Sequence, residues 1–295
     1  MLVVYSRLIL RPPEANGSAI CDPDDTARRI TAMNHPLAML FLALVIMTAL
    51  WPVSFWLKDV SIVDILWGPA FAVMAWVCAT MRATLDARQW IVLALVSVWA
   101  LRLGFHVGGR WLRNRHEDHR YAAIRASRGP NFPWTSLFWI FWLQALLLWV
   151  ISWPLQAVFA QDRPLHWADA FGIALACAGI GIEAIADAQL TRFRADPRNS
   201  AKVLDTGLWA WSRHPNYFGD FTVWWGFFLF GIAAGAPWWV ALGPVVMSAL
   251  LIHYSGAGLM EDTIGRRRPG YADYVRRTSL FVPWPPSAAS KRGAD

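Results

Sequence analysis

The sequence predicts an all-α membrane protein, a polytopic bundle of about seven transmembrane helices. Composition is the first reason: 56% of the 295 residues are hydrophobic and only 16% are charged, whereas about 25% of the residues in soluble domains are charged. The second reason is that the apolar residues form runs of about 20, the length of an α-helix that crosses the hydrocarbon core of a bilayer. We therefore assign the apolar runs to helices and the charged segments to loops.

Charged loops separate the first five predicted helices. These helices cover residues 36–57, 62–81, 89–106, 134–157 and 167–190. Residues 221–260 contain no Asp, Glu, Lys or Arg, and a helix of about 40 residues would extend about 60 Å, twice the thickness of the hydrocarbon core. Two helices must share this stretch. The sequence Gly235-Ala236-Pro237 predicts the turn between them, because proline cannot continue a helix.

Lys and Arg are unequally distributed between the two ends of these helices. The loops after helices one, three and five and the C-terminal tail hold most of them, and positive charge accumulates on the cytoplasmic side of membrane proteins. This distribution predicts an N-terminus outside, a C-terminus in the cytoplasm and a multi-pass protein of the cell inner membrane. It also accounts for most of the net charge of +7, so that charge does not indicate nucleic-acid binding.

The predicted helices belong to one transmembrane domain, residues 35–285. Residues 1–34 are predicted to be a disordered tail or the product of a start site assigned too early, because Met33 directly precedes the first helix. Residues 286–295 are predicted to be a disordered C-terminal tail.

The loop between helices three and four contains four consecutive residues of types that bind metals, His116 to His119. Adjacent side chains do not converge on one ion as side chains three or four positions apart on a helix do. We therefore predict a solvated cytoplasmic loop over residues 110–128 and no metal site.

Three ionisable residues lie near the cytoplasmic ends of helices two and three. Asp64 is one turn inside helix two, while Arg102 and His106 share a face of helix three. An ionisable group within a membrane span costs about 3 kcal/mol and therefore needs a partner or a function. Asp64 beside Arg102 or His106 would form either a proton-donating catalytic group or an internal salt bridge.

Helix five carries a second charged face, which consists of Glu183, Asp187 and Arg194. Two carboxylates followed by an arginine suit the hydroxyls and phosphate of a nucleotide. The alternative is that they pair with arginines of neighbouring helices.

A polar cluster marks the start of helix six. The residue after His214 is a proline, which suits the first position of a helix and leaves free backbone N–H groups. These groups, with Arg213 and His214, would hold an anion. Asn216 and Asp220 share the next face of the helix, and Gly219 permits the close approach of a flat ring or a neighbouring helix. The alternative is an anchor of charged and aromatic residues at the membrane edge.

A short amphipathic helix is predicted after the last span. Tyr271, Tyr274 and Arg277 lie on one face of it. Its arginines suit anionic lipid head groups, and the helix could equally close over a nucleotide.

These segments resemble a known group of enzymes. The sequence SRHPNYFGD with its apolar helix, then Glu261 and a Tyr-x-x-Tyr stretch ending in VPW, resembles the C-terminal half of steroid 5α-reductases and sterol C14 reductases. The stretch from SIVDILWG to FVPW resembles the bacterial membrane proteins of the DUF1295 family, which are assigned to that superfamily. In the reductases NADPH lies in a cytoplasm-facing cavity between the last helices, and a hydride passes to an activated C=C bond of a sterol or lipid.

The resemblance implies an NADPH site in this chain. Its predicted members are Glu183, Asp187, Arg194, Lys202, Arg213, His214, Asn216, Tyr217, Asp220, Glu261, Tyr271 and Tyr274. The 5α-reductases polarise the 3-oxo group of the steroid with a glutamate on an early helix and a tyrosine on the next. Here Asp64, Arg102 and His106 lie at the comparable places, without a clear tyrosine, and are the predicted catalytic residues.

The leading hypothesis is an NADPH-dependent reductase of an enone-like C=C bond in a steroid-like or other membrane lipid. Asp64 or His106 would stabilise the developing enolate. The basic residues of the loop after helix five suit NADPH, with its several phosphate charges, better than S-adenosylmethionine.

Two other hypotheses stay open at this point. The RHPxYxG pattern also resembles prenyl-cysteine and phospholipid methyltransferases, so the first alternative is an S-adenosylmethionine-dependent methyltransferase of a lipid or prenyl-cysteine. The second is a non-catalytic lipid-binding or transport protein. It is disfavoured because the sequence lacks the internal repeat that transporters usually show.

Overall fold

The computed structural model describes residues 23–114, 116–254 and 270–287. The contacts divide the chain into two units, residues 1–35 and residues 36–295, and the site belongs to the second unit. The α-helices of the described residues are α1 Pro23–Leu57, α2 Ile62–Thr80, α3 Ala87–Asn114, α4 His119–Arg128, α5 Phe132–Ser136, α6 Leu143–Ile151, α7 Trp153–Val158, α8 Trp167–Ala195, α9 Pro215–Ala233, α10 Leu242–Ala249 and α11 Tyr271–Arg277. Two π-helical segments, Leu137–Trp142 and Leu250–Tyr254, adjoin α6 and α10 respectively.

Five helical stretches of the described chain are long and apolar enough to cross a membrane. They are Pro36–Leu57, Ile62–Thr80, Ala87–Arg113, His119–Ile151 and Trp167–Ala195. The first matches the predicted span, and the second, third and fifth begin within about two residues of the predicted starts. The prediction of an all-α polytopic membrane bundle is therefore confirmed.

Two further apolar helices occupy the region predicted for helices six and seven. They are α9, with 19 residues, and the shorter helical stretch Trp238–His253. The predicted turn lies between them, and Gly235 adopts a φ of +85° there, a conformation that suits glycine. The number of seven spans and the sides of the two termini stay predictions.

The segment predicted as a loop, residues 110–128, is mostly helical. α3 continues to Asn114, and α4 begins at His119. The Asp118 carboxylate caps α4 by accepting a hydrogen bond from the Arg120 backbone N–H at 3.0 Å. Although burial opposes ionisation, the hydrogen bonds from Arg120 hold the pKa of Asp118 below its usual value. The helical stretch that contains the fourth apolar span therefore begins at His119, before the predicted residue 134.

α8 and α9 are in backbone contact. A Cβ atom on Gly179 would lie 2.5 Å from the carbonyl oxygen of Gly219, and one on Gly219 would lie 2.7 Å from the carbonyl oxygen of Gly179. Gly219 thus admits a neighbouring helix, the second of the two possibilities predicted for it. This contact brings Asn216 of α9 within hydrogen-bond distance of Asp187 of α8.

α3 and α8 run parallel and are joined by ion pairs at two levels. Near their starts, the completely buried Arg88 binds both carboxylate oxygens of Asp169, at 2.7 and 2.8 Å. About four turns further along both helices, Arg102 pairs with Glu183. The equal spacing of the two pairs fixes the register of the helices that carry the candidate site.

Candidate functional site

A cavity of about 640 Å³ opens between α2, α3, α4, α6, α8, α9 and the second π-helical segment. This volume is typical of pockets that hold cofactors and small ligands. Its polar lining consists of Asp64, His106, Arg110, Arg113, Arg120, Tyr121, Gln144, Glu183, Asp187, Thr191, Arg194, Asn216, Tyr217 and Asp220. Eight of the residues predicted from the sequence therefore meet in one cavity.

Asp64 and Tyr121 form a hydrogen-bonded pair on the wall of this cavity, which we call the acid pair. The Tyr121 hydroxyl donates to Asp64 Oδ1 at 2.8 Å, and Arg120 donates to Asp64 Oδ2 at 3.0 Å. The expectation that Asp64 pairs with Arg102 or His106 is wrong, because α4 folds back against the start of α2. Asp64 also lines a second cavity of about 320 Å³ together with His116 and other residues of the α3–α4 connection.

Sequence reasoning missed Tyr121 and Arg120 because their segment is rich in charge and was assigned to a loop. A local signal was present. Asp118 is a favourable N-cap residue, and good helix formers follow it. A helix predicted from that signal would have placed Tyr121 in its first turn. Tyr121 would then have been a candidate for the tyrosine that the reductases have and that the sequence did not clearly show.

Arg102 joins α3 to both carboxylates of α8. Its guanidinium pairs with Glu183 and Asp187 and donates to the Glu183 carbonyl oxygen at 2.9 Å. The structure therefore contains the pairing that was predicted as the alternative, in which these carboxylates pair with an arginine of a neighbouring helix. Arg102 does not line the cavity, so we assign it as a positioning residue instead of a catalytic one.

Asp187 is the point at which α3, α8 and α9 meet. Its carboxylate pairs with Arg102, accepts a hydrogen bond from Asn216 Nδ2 at 3.0 Å and lies 3.6 Å from His106 Nε2. The predicted catalytic His106 thus belongs to the same network as the predicted cofactor ligands. It faces the cavity from α3, across from α8.

Three buried acceptor atoms of this network have no hydrogen bond within the described residues. They are Glu183 Oε2, Asn216 Oδ1 and Asp220 Oδ1. The indoles of Trp99 and Trp224 stand beside the Asp220 carboxyl, but their N–H groups form no hydrogen bond of normal geometry. Buried acceptors without donors are costly. The three side chains line the cavity, although these three atoms are themselves enclosed by the protein.

The cavity is basic at one end and acidic inside. Arg110, Arg113 and Arg194 line it near the C-terminal ends of α3 and α8. Glu183 and Asp187 lie two to three turns further back along α8. A ligand with phosphates at one end and uncharged donors at the other matches this arrangement.

Some predicted site residues do not line the cavity, namely Lys202, Arg213, His214, Tyr271 and Tyr274, and Glu261 lies outside the described residues. His214 is buried and stacks in parallel on Tyr217, with ring centroids 5.5 Å apart. Burial and the nearby charge of Arg213 lower the pKa of His214 to about 4. A neutral imidazole would still carry one N–H donor, and the role of His214 in holding an anion stays a prediction.

α11 packs on the loop that leads into α9. The Tyr274 hydroxyl donates to the Trp209 carbonyl oxygen at 2.7 Å, and Arg277 pairs with Asp205 at 2.6 Å. The Tyr274 hydroxyl thus holds this loop in place, and its role as a cofactor ligand stays a prediction.

Two comparisons with known proteins give matches. Residues 50–278 match the family model described as "Protein of unknown function (DUF1295)". An uncharacterized protein of Schizosaccharomyces pombe is 27% identical over 277 residues, which cover 83% of this chain and 78% of that protein. No solved structure matches the chain. The range matched by the family model contains Asp64, Tyr121 and the Asp187 network.

Proposed function

The chain belongs to the DUF1295 family of membrane proteins, a family related to the steroid 5α-reductases, and from that premise we propose that it is an NADPH-dependent reductase of an activated C=C bond in a lipid. One observation carries the proposal. A single cavity combines an acid pair suited to a substrate carbonyl, Asp64 and Tyr121, with arginines suited to phosphates.

The residues of the cavity fit NADPH. Arg110, Arg113 and Arg194 would hold its phosphates through charge-assisted hydrogen bonds. Its carboxamide and ribose hydroxyls suit the polar acceptor side chains that line the cavity, Glu183, Asp187 and Asn216. S-adenosylmethionine could also satisfy these acceptors, but it brings no phosphate for the arginines.

When bound, NADPH would supply the hydride for the β-carbon of an enone, while water would supply the proton for the α-carbon, so that the C=C bond gains two hydrogens. The role of the chain is to stabilise negative charge on the carbonyl oxygen. With one proton added to Asp64, the Asp64–Tyr121 pair holds two O–H groups. One maintains the mutual hydrogen bond, and the other can donate to the substrate oxygen.

The surroundings of the acid pair support this role. Arg120 holds the second oxygen of Asp64 and so fixes the carboxyl group. The second cavity, with His116 and His119, gives Asp64 a route for proton supply from the exposed α3–α4 connection. The apolar wall formed by Trp67, Leu147 and other residues suits a lipid substrate.

A ligand titration of the purified protein in detergent tests the proposal. We expect NADPH to raise Tm in proportion to the logarithm of its concentration, and S-adenosylmethionine to have no effect. A 3-oxo-Δ4 steroid serves as the probe enone for NADPH consumption. Stabilisation by S-adenosylmethionine alone would exclude the reductase.

Asn216→Ala tests the cofactor site itself. The change removes both the hydrogen bond to Asp187 and a free acceptor, so we expect the Kd for NADPH to rise about tenfold or more. Asn131→Ala, at an exposed position away from the cavity, is the matched control and should leave Kd unchanged. Equal Kd values for both variants and the wild type would remove Asn216 from the site.

A further inference from the structure

The apolar part of the cavity contains a carboxamide. Gln144 of α6 lines it together with Leu147, Met247 and Leu251. The side chain is half-buried within a membrane span. It makes no hydrogen bond to any residue that the structure describes.

Other glutamines of the bundle are hydrogen-bonded inside the protein. Gln89 Nε2 donates to the Val158 carbonyl oxygen at 3.2 Å, and Gln156 Nε2 donates to the Ser152 hydroxyl at 2.7 Å. Gln144 is half-buried and lines the cavity, so its amide can form hydrogen bonds there, and polar residues within membrane spans commonly mark a binding site. Gln144 therefore differs from these glutamines in a way that indicates a ligand.

One π-helical segment lines this part of the cavity, and the other directly precedes α6. Leu137–Trp142 leads directly into α6, so that Gln144 is the second residue after it. The second segment begins with Leu250 and Leu251, which also line the cavity. π-helical turns occur frequently at functional sites, so the π-helical segment that lines the cavity is an independent indication of binding.

We propose that Gln144 determines substrate specificity by hydrogen-bonding a second polar group of the lipid, distinct from the carbonyl that Asp64 and Tyr121 bind. This inference rests on the proposed reductase function. It names the substrate class as a lipid with two polar groups, a reacting carbonyl and a further hydroxyl or oxo group. Simple prenyl or acyl enones, whose remainder is hydrocarbon, are excluded because they would leave the carboxamide unpaired.

Three 3-oxo-Δ4 steroids that carry a hydroxyl, an oxo group or only hydrogen at carbon 17 provide the test. Their Kd is measured by tryptophan fluorescence of the full chain without NADPH, and their kcat/KM with NADPH. We expect the wild type to bind the two oxygenated steroids about 10- to 100-fold more tightly than the third. Gln144→Leu should abolish this preference, and Gln144→Met, also apolar and unbranched at Cβ, should reproduce the loss. Gln161→Leu, at an exposed loop position, should retain the preference.

The outcomes separate this inference from the proposed function. Equal affinities in the wild type, an unchanged preference in both Gln144 variants, or no binding of any of the three steroids would each overturn the role of Gln144. A binding preference that depends on Gln144, without NADPH consumption for any steroid, would refute the reductase and keep the subsite. NADPH consumption with equal affinities for the three steroids would support the reductase and refute the Gln144 subsite.

Discussion

At the scale of single residues, the proposed chemistry depends on the hydrogen bond between Tyr121 and Asp64. The bond joins α4, which the sequence analysis did not predict, to α2, which it did. Arg120, adjacent to Tyr121, engages the other oxygen of the same carboxyl group. The pair is therefore oriented on both sides, as expected of a group that must meet a substrate oxygen with little reorganisation.

Tyr121→Phe should lower kcat for the probe enone by about 100-fold or more, because the O–H donor is lost while the ring keeps its packing. The Kd for NADPH should not change. Tyr274→Phe removes a hydroxyl that donates to the Trp209 carbonyl oxygen outside the cavity, and it should lower Tm without a comparable loss of kcat. A Tyr121→Phe enzyme with full kcat would show that the electrophile is elsewhere.

At the scale of secondary-structure elements, the site depends on how closely α8 and α9 approach. The hydrogen bond between Asp187 and Asn216 spans this helix pair. Its formation requires backbone contact, which the glycines Gly179 and Gly219 allow. The sequence alone identified Gly219 as a place of close approach, but the partner surface could not be known before α8 and α9 were brought together.

Gly179→Ala should separate these helices, because its Cβ atom would meet the backbone of Gly219. We expect a loss of stability of about 1–3 kcal/mol and a weaker stabilisation by NADPH. Gly181→Ala is the matched control on the same helix, since nothing lies within 4 Å of its Cβ position. It should be neutral or stabilising by up to about 1 kcal/mol. Equal Tm values for the two variants would contradict the backbone contact.

At the scale of the whole molecule, two ion pairs fix the register of α3 against α8. The Arg88–Asp169 pair lies at one end of this helix pair, and the pairing of Arg102 with Glu183 and Asp187 lies at the level of the cavity. Both members of the first pair are buried. A buried pair is costly to break, since removal of one partner leaves an uncompensated charge.

Arg88→Met should therefore destabilise the protein by about 3–5 kcal/mol, because Asp169 stays buried without its partner. The double variant Arg88→Met/Asp169→Leu should recover at least half of that loss. Unfolding of both variants in detergent measures the difference. A double variant that is as unstable as the single one would show that the contacts of Arg88 with the backbone, not the charge pair, dominate.

The sequence by itself determined the fold class, the limits of the first two spans, the approximate starts of the third and fifth, and most of the polar residues that line the cavity. These features depend on local hydropathy and on helical periodicity, which are properties of about 20 consecutive residues. The polar groups of Asp64, Glu183, Asp187 and Asp220 could be identified for the same reason, since ionisable residues are conspicuous within apolar runs.

Only the tertiary structure decided which of these groups are partners. Asp64 binds Tyr121 of α4, not Arg102, because α4 forms a helix that folds against α2. Arg102 binds Glu183 because α3 and α8 are parallel and in register. Such pairings depend on which helices become neighbours and how closely their backbones approach. Residues far apart in the chain set both quantities, and no local pattern in the sequence encodes them.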